Sequence, residues 1–253
     1  METAWVVIGS CVGVVLGLTG AGGAMVSVPL FVHWLDISLK DATTFSLYAV
    51  VMAALFNGVA QFRSVQYSLS IKIILFSLLG SLVGREVKPH TPDLLIKVLF
   101  IGICFYSFYS LWLKKKSNSL APKQFRSKGS KTVFVGVSGI FLGFLITMTG
   151  LGGGVVIVPW MISIMGLNIS QAVASSLFCV LFVVTGSIFV QFDTVIKLFD
   201  FREILSLGLG AVVAAFLIRL FISKLSVQKT SSVRKYVLTF ILFSTVLSLL
   251  IKK

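Results

Sequence analysis

The sequence predicts an all-α integral membrane protein with about eight hydrophobic segments in two homologous halves. Hydrophobic residues make up 57% of the 253-residue chain and charged residues only 12%, against about 25% charged residues in a soluble domain. The apolar residues form runs that are bounded by charge, and a glycine-rich run recurs 130 residues later. This composition excludes a water-soluble enzyme, a secreted disulfide scaffold and a disordered chain.

The charge boundaries define eight apolar segments. Six of them have close to the roughly 20 residues that a helix needs to cross a bilayer core. The first and the fifth are longer, and each is interrupted by a cluster of glycines. In chain order the segments are 4–35, 42–62, 67–84, 93–113, 132–166, 170–191, 202–222 and 234–251.

A basic linker divides the chain. Residues 114–131 contain seven basic residues and no acid, and positive charge collects in cytoplasmic loops. We therefore expect a cytoplasmic linker between a first transmembrane repeat, 1–113, and a second, 132–253. The same tendency explains the formal net charge of +14, so nucleic acid is not an expected partner.

The two halves share a motif. Residues 19–29 (TGAGGAMVSVP) align without gaps on residues 149–159 (TGLGGGVVIVP). At the same offset, 13 of the 44 positions in 19–62 and 149–192 are identical. An internal duplication of this kind is typical of transporter architectures.

The length of the interrupted segments predicts hairpins. As one helix, residues 4–35 would measure roughly 48 Å, against a bilayer core of about 30 Å. Split at the glycines, the arms measure roughly 22 and 18 Å, and neither arm crosses. A re-entrant hairpin with a glycine tip fits both lengths, and three further crossings per half would make the halves inverted repeats. Loop charge does not distinguish this arrangement from segments that cross fully.

The glycine tips predict an anion site. Glycine lets the backbone approach a ligand closely, and the first turn of the helix that follows has unpaired N–H groups and a partial positive charge. A small anion is the natural partner of such a turn, and two tips would converge on one midplane site. The alternative is that these glycines serve only close helix packing.

The distribution of acids and amides agrees with an anionic substrate. All eight acidic residues fall in loops or at segment ends, whereas cation transporters place acids inside the membrane. Asn57 and Gln61 share a helix face, and Gln191 repeats Gln61 in the second half, although such side chains also form ordinary helix–helix hydrogen bonds. The candidate substrate-binding residues are Thr19, Gly20, Gly22, Gly23, Asn57, Gln61, Thr149, Gly150, Gly152, Gly153, Gly154, Ser175 and Gln191.

Enzyme chemistry is not indicated. Cys11, Cys104 and Cys179 are isolated in apolar runs, without the spacing of a redox pair or a metal site. We therefore expect no catalytic residue, no metal and no cofactor. Histidine is the side chain best suited to carry protons in the physiological pH range, so His33 is a candidate for proton coupling, with an ordinary interfacial histidine as the alternative.

The duplicated motif resembles the sulfite exporter TauE/SafE family. The resemblance covers residues 17–29 (GLTGAGGAMVSVP) and 149–159, followed by Ala42 to Leu47 and by 172–177. It implies an inverted-repeat secondary transporter of small sulfur-containing anions such as sulfite, thiosulfate or organosulfonates, in the bacterial inner membrane. Ala24 departs from the family pattern, since it replaces the third glycine of the first motif. The later spans of the two halves align poorly.

These observations predict a multi-pass permease of the cell (inner) membrane that works by alternating access through relative motion of its halves. Its expected partners are a small anionic substrate, a proton as candidate co-substrate and the lipid bilayer, and its oligomeric state is open. The alternatives are a small-anion channel and a non-transporting membrane sensor or scaffold.

Overall fold

The computed structural model describes residues 2–19, 23–58, 64–113, 128–190 and 201–223. Within these ranges the chain forms helices and no strands, so the predicted fold class is confirmed. The helices are α1 Glu2–Thr19, α2 Gly23–Trp34, α3 Leu39–Gly58, α4 Tyr67–Val87, α5 Asp93–Leu113, α6 Lys128–Thr149, α7 Gly154–Met165, α8 Ile169–Val190 and α9 Phe201–Ser223.

The helix ends follow the predicted segments closely. Both long segments are divided at their glycines, the first into α1 and α2 and the fifth into α6 and α7. Helix α6 begins at Lys128, so its first four residues belong to the predicted linker. A short 3-10 turn, Lys88–His90, extends α4. The eighth predicted segment, 234–251, lies outside the described residues.

Several of the helices are apolar enough for a membrane. Among the described residues, three stretches have the length and composition to cross a bilayer: Tyr67–His90, Thr132–Thr149 and Ser170–Phe189. Shorter apolar helices cover Thr3–Gly17, Gly23–Trp34 and Gly154–Met165. The shorter helices belong to the two segments that are interrupted by glycines.

Both interrupted segments reverse direction. The ring centroids of Trp5 and Phe31 are 5.5 Å apart, and the stacked rings of Phe134 and Trp160 are 6.4 Å apart. Each pair is separated by 26 positions, which a continuous helix would spread over roughly 39 Å. The chain therefore folds back between α1 and α2 and between α6 and α7. Because Thr132–Thr149 has the length to cross a bilayer, the re-entrant form of the hairpins stays a prediction.

Helices α1 and α9 pack in parallel with their backbones in contact. A Cβ placed on Gly9 would overlap the carbonyl oxygen of Leu207, and one placed on Gly13 would overlap that of Ala211. The residue numbers rise together along both helices. Small residues permit this close approach, which is a common way for membrane helices to associate.

The second half repeats the same contact. Gly139 and Gly143 on α6 are the counterparts of Gly9 and Gly13 at an offset of 130. They pack against α4 beside Ile73 and Ser77. Gly9 meets Leu207 of α9, and its counterpart Gly139 meets Ile73 of α4. Residues of α4 therefore correspond to residues of α9 that stand 134 positions later in the chain, rather than 130. A shift of four residues thus explains why these spans align poorly in sequence.

Helices α3 and α4 are antiparallel. They follow one another in the chain, and two contacts join the end of α4 to the start of α3. Lys88 donates a hydrogen bond to the hydroxyl of Thr44 over 2.9 Å, and Lys40 donates one to the carbonyl oxygen of Pro89 over 3.0 Å. The Lys88 end of α4 therefore meets the first turns of α3.

Helix α8, the counterpart of α3, runs parallel to α4. The ring of Tyr67, at the start of α4, is 5.5 Å from that of Phe178, near the middle of α8. Further along, the hydroxyl of Ser187 donates to that of Ser81 over 2.9 Å. Because α3 is antiparallel to α4, the equivalent helices α3 and α8 run in opposite directions, which is the relation expected of inverted repeats.

The helices form two bundles, and each bundle includes one helix from the other half of the sequence. The first bundle contains α1, α2 and α3 with α9, and the second contains α6, α7 and α8 with α4. Each bundle thus combines three helices of one half with the fourth helix of the other. The bundles meet mainly where α3 packs against α8, and α5 packs against α6 and α7.

The glycine contacts between helices predict a difference between two Gly→Ala variants. Gly143→Ala places a methyl group on the Ser77 carbonyl, and overpacking of this kind typically costs about 1–3 kcal/mol. Gly102 on α5 has no atom within 4 Å of its Cβ position. We expect thermal unfolding in detergent to show a clear loss for Gly143→Ala and none for Gly102→Ala. Equal melting temperatures would contradict the backbone contact between α4 and α6.

Candidate functional site

The second glycine turn is a left-handed reversal between α6 and α7. Gly150, Gly152 and Gly153 have φ values of +68°, +64° and +72°, a region that side-chain-bearing residues avoid. Helix α7 begins immediately afterwards at Gly154. The glycines predicted from the motif are therefore the residues that reverse the chain.

The turn is seated on helix α3 of the other half. The hydroxyl of Ser46 lies 2.6 Å from the carbonyl oxygen of Gly150 and donates to it. A Cβ on Gly150 would overlap the carbonyl oxygen of Thr43, and one on Gly152 would lie 2.6 Å from a methyl group of Val50. Three consecutive turns of α3 therefore form the surface on which this glycine turn rests.

The turn collects buried backbone donors. Residues 150–155 are all buried. The amide of Gly154 donates to the carbonyl of Gly152 over 2.9 Å, and that of Ile157 donates to Gly153 over 2.8 Å. Buried N–H groups normally have a partner, yet four amides here have no acceptor among the described residues: those of Leu151, Gly152, Gly153 and Val155.

The carbonyl groups of this region are better satisfied. Pro159 has no N–H, so it cannot bond to the carbonyl of Val155 one turn earlier in α7. The hydroxyl of Ser107 on α5 donates to that carbonyl over 3.0 Å. The turn is therefore short of acceptors rather than donors, which favours an anionic ligand.

The first glycine turn is described only at its end. Gly23 is buried and opens α2, and its Cβ position lies 2.9 Å from a methyl group of Val12 on α1. Its absent side chain allows the two arms to pack closely. Gly20 and Gly22 lie outside the described residues, as do Gln61 and Gln191, and the side chains of Thr19 and Asn57 are not described.

Two predicted hydroxyl ligands have protein partners. Thr149 is buried directly before the turn, and its hydroxyl donates to the carbonyl of Leu145 over 2.7 Å. Ser175 on α8 accepts a hydrogen bond from the backbone N–H of Gln66, just before α4, over 2.9 Å. Their part in substrate binding stays a prediction, and in this conformation both bonds stabilise helix ends.

His33 lies away from the glycine tip of its own hairpin. It occupies the last turn of α2 and is exposed, ten residues after Gly23, or roughly 15 Å along the helix axis. A role of His33 in proton coupling would therefore act without direct contact with the tip.

Sequence reasoning missed Lys88. Its side chain is only 6% exposed, and its Nζ donates to the Thr44 hydroxyl over 2.9 Å. The signal was present in the sequence, because Ser77, Ser81, Gly84 and Lys88 recur on one face of α4 and its extension, and all four are buried. Small polar residues that lead to a lysine indicate an inward-facing helix surface.

The turn geometry predicts opposite results for two neighbouring glycines. Gly150→Ala imposes a left-handed conformation on alanine, which costs about 1–2 kcal/mol, and adds an overlap with α3. Gly154 has no positive φ, and Ala24 stands at the equivalent position of the first half. We expect Gly150→Ala to lower the melting temperature and abolish transport, and Gly154→Ala to keep both. Wild-type behaviour of Gly150→Ala would contradict the seating of the turn on α3.

Comparison with known proteins identifies the family. A family model described as sulfite exporter TauE/SafE matches residues 5–248. A probable membrane transporter protein of Haemophilus influenzae is 26% identical over 189 residues, which cover 68% of this chain and 66%, just under two thirds, of that protein. The probable membrane transporter protein YjnA of Bacillus subtilis is 24% identical over 205 residues, 74% of this chain and 78% of the relative.

No solved structure matches the chain. The relatives carry the names of transporters, which agrees with the prediction that the chain is not an enzyme. The family match spans nearly the whole sequence and includes both glycine motifs. The chain therefore belongs to the sulfite exporter TauE/SafE family of membrane proteins.

Proposed function

We propose that this protein is a secondary transporter of small sulfur-containing anions such as sulfite, thiosulfate or organosulfonates. The observation that carries the proposal is the set of four buried backbone N–H groups at the glycine turn without an acceptor among the described residues. In hydrocarbon every such donor needs a partner, and an oxyanion offers several acceptors at once. The family description names sulfite, and thiosulfate and organosulfonates are the related anions that we include in the proposal.

The positions of the acids support an anion rather than a cation. Within the described ranges, the acidic residues all lie in the first or last turns of helices or between helices: Glu2, Asp36, Asp41, Glu86, Asp93 and Glu203. A carboxylate near the turn would repel the substrate and compete for its N–H donors. Among the described residues no acid lies in the turn itself, and Asp41 on α3, two residues before Thr43, accepts a hydrogen bond from the Ser38 hydroxyl.

The second half repeats on α8 the local geometry with which α3 holds the second glycine turn. Ser176 on α8 is the counterpart of Ser46, and its hydroxyl donates to the carbonyl of Val173 over 2.9 Å. The Ser46 hydroxyl makes the same contact with Thr43 over 2.8 Å. This shared local geometry supports a site to which both halves contribute.

The two-bundle arrangement supports alternating access. Leu151 and Val155, at the tip of the second bundle, pack into the core of the first, whereas Leu16 and Ala24 pack into the core of the second. Any displacement of one bundle against the other would therefore change the surroundings of both tips. We propose that the moving units are the two bundles, with their exchanged fourth helices, rather than the two sequence halves.

The charged linker gives the orientation. We place residues 114–131 in the cytoplasm of a cell whose inner membrane contains the protein, because seven basic residues favour that side. Helix α5 ends and helix α6 begins at this linker. The corner formed by Lys88 and the start of α5 then faces the opposite side of the membrane.

Flux into proteoliposomes tests the function. Labelled sulfite, thiosulfate and a sulfonate are compared with sulfate and a potassium control in liposomes with and without protein, with and without a pH gradient. We expect saturable uptake of a sulfur anion that is accelerated when unlabelled substrate is present inside, because a carrier must return through its other conformation. An increase with the gradient would support proton coupling.

The same assay separates the alternatives. Flux that does not saturate and is not accelerated from the far side would indicate an anion channel. Binding without flux would favour a sensor or scaffold. Neither binding nor flux of any sulfur anion, with protein that elutes as a single folded species, would contradict the proposed substrate class.

A further inference from the structure

Lys88 is a buried cation at the end of α4. It is 6% exposed, whereas its neighbours Val87, Pro89 and His90 are exposed. The 3-10 turn Lys88–His90 therefore directs one side chain of this corner inward and leaves the others outside. Burial of a charged amine is costly unless an anion or several acceptors compensate for the lost water.

The described residues compensate Lys88 only in part. An ammonium group has three N–H donors, and one of them is used by the Thr44 hydroxyl. Lys88 forms no ion pair within 4.0 Å in the described ranges, where Asp93 pairs with Lys40 and Glu86 with Arg85.

The nearest carboxylate on α3 is also occupied. A side-chain oxygen of Asp41 accepts a hydrogen bond from the Ser38 hydroxyl over 2.6 Å. Asp41 acts on Lys88 through its field rather than through a direct contact within the described structure. Two of the three donors of Lys88 therefore have no acceptor in this part of the chain.

Two independent contacts place Lys88 beside the glycine turn. On α3, Thr44 binds Lys88, and the preceding residue, Thr43, touches Gly150. On α4, the Cβ position of Gly84, one turn before Lys88, is 2.9 Å from the Cβ of Thr147, three residues before the turn. Since α4 and α6 run in parallel, the next turn of α4 reaches the level at which α6 ends and the glycine turn begins.

We propose that Lys88 is a substrate-binding residue, whose ammonium group pairs with the charge of the anion held by the Gly150–Gly153 amides. This inference rests on the proposed function and assigns a charged ligand to its site. The amides provide direction and shape but only partial charge, whereas the ammonium provides a full unit of charge. An anion in contact with both groups supplies the acceptors that each of them lacks.

The corner is built to hold Lys88 in place. The amine of Lys40 donates to the carbonyl of Pro89 over 3.0 Å and lies 3.9 Å from a carboxylate oxygen of Asp93. Thr91 donates to the carbonyl of Val87 over 2.8 Å. These outer contacts fix the turn that carries Lys88, so the inward direction of its side chain does not depend on a ligand.

Anion-dependent thermal stabilisation of the purified full chain tests the proposal. Sulfite and thiosulfate are titrated against wild type, Lys88→Met, Lys88→Arg and Lys72→Met, a matched loss of charge at an exposed position of α4. We expect the apparent Kd to rise about tenfold to hundredfold in Lys88→Met, as for the loss of a charged hydrogen bond. Lys72→Met should bind as wild type does, and Lys88→Arg should retain part of the affinity.

A second measurement does not depend on a variant that folds. Reductive methylation of the wild-type protein is followed at Lys88 and Lys72 by mass spectrometry, with and without thiosulfate or a sulfonate, which unlike sulfite do not consume the formaldehyde reagent. We expect the anion to slow the modification of Lys88 and to leave Lys72 unchanged.

The outcomes separate the two proposals. Wild-type stabilisation that persists with unchanged Kd in a folded Lys88→Met variant, or equal methylation of Lys88 with and without the stabilising anion, would overturn the role of Lys88 and leave the transport function standing. No stabilisation of the wild type by any sulfur anion would overturn the proposed function and, with it, the role of Lys88.

Discussion

The contact between the Gly150–Gly153 turn and helix α3 joins the two bundles at the point where the buried amides collect. It requires glycine for two separate reasons: a left-handed backbone, and the absence of a side chain where the turn meets Thr43 and Val50. The Ser46 hydroxyl then fixes the carbonyl of Gly150, directly before the amides that have no acceptor among the described residues. The reversal of the chain, the assembly of the bundles and the grouping of buried donors thus depend on one backbone contact.

The exchange of helices between the bundles follows from the same demand for close approach. In hydrocarbon, helices gain little from burying apolar side chains, so association depends on close packing and internal hydrogen bonds. The closest packing here joins α1 to α9 and α4 to α6, each time through glycines that admit a carbonyl of the neighbouring helix. These interfaces join different halves of the sequence, so the halves cannot separate as rigid bodies. Helices α3 and α8 pack less closely, and we expect the two bundles to move against each other at this contact.

Much of the fold could be predicted from the sequence because a membrane restricts the choices. The breaks at both glycine clusters, the bounds of α5 and the use of glycine at 150, 152 and 153 all follow from length, apolar runs and the motif. The packing of α4 on α6 and of α9 on α1 could not be predicted, because a shift of four residues hides the sequence correspondence between α4 and α9. Lys88 was missed because a lysine next to a proline at a segment end is typical of an exposed interface, and this pattern outweighed the small polar residues that precede Lys88 on the same helix face.

The two halves differ in charge at the proposed site. Helix α4 corresponds to α9 at an offset of 134, so the counterpart of Lys88 is Ile222. Helix α3 corresponds to α8 at an offset of 130, so the counterpart of Thr44 is Ala174. The cation and its hydroxyl partner are therefore both absent from the second repeat, as expected if they act as a pair. A site between two similar glycine tips would have one charged side only. Such asymmetry fits a single anion with its charge toward the Lys88 corner, and it gives the substrate a preferred orientation that the symmetric backbone alone does not provide.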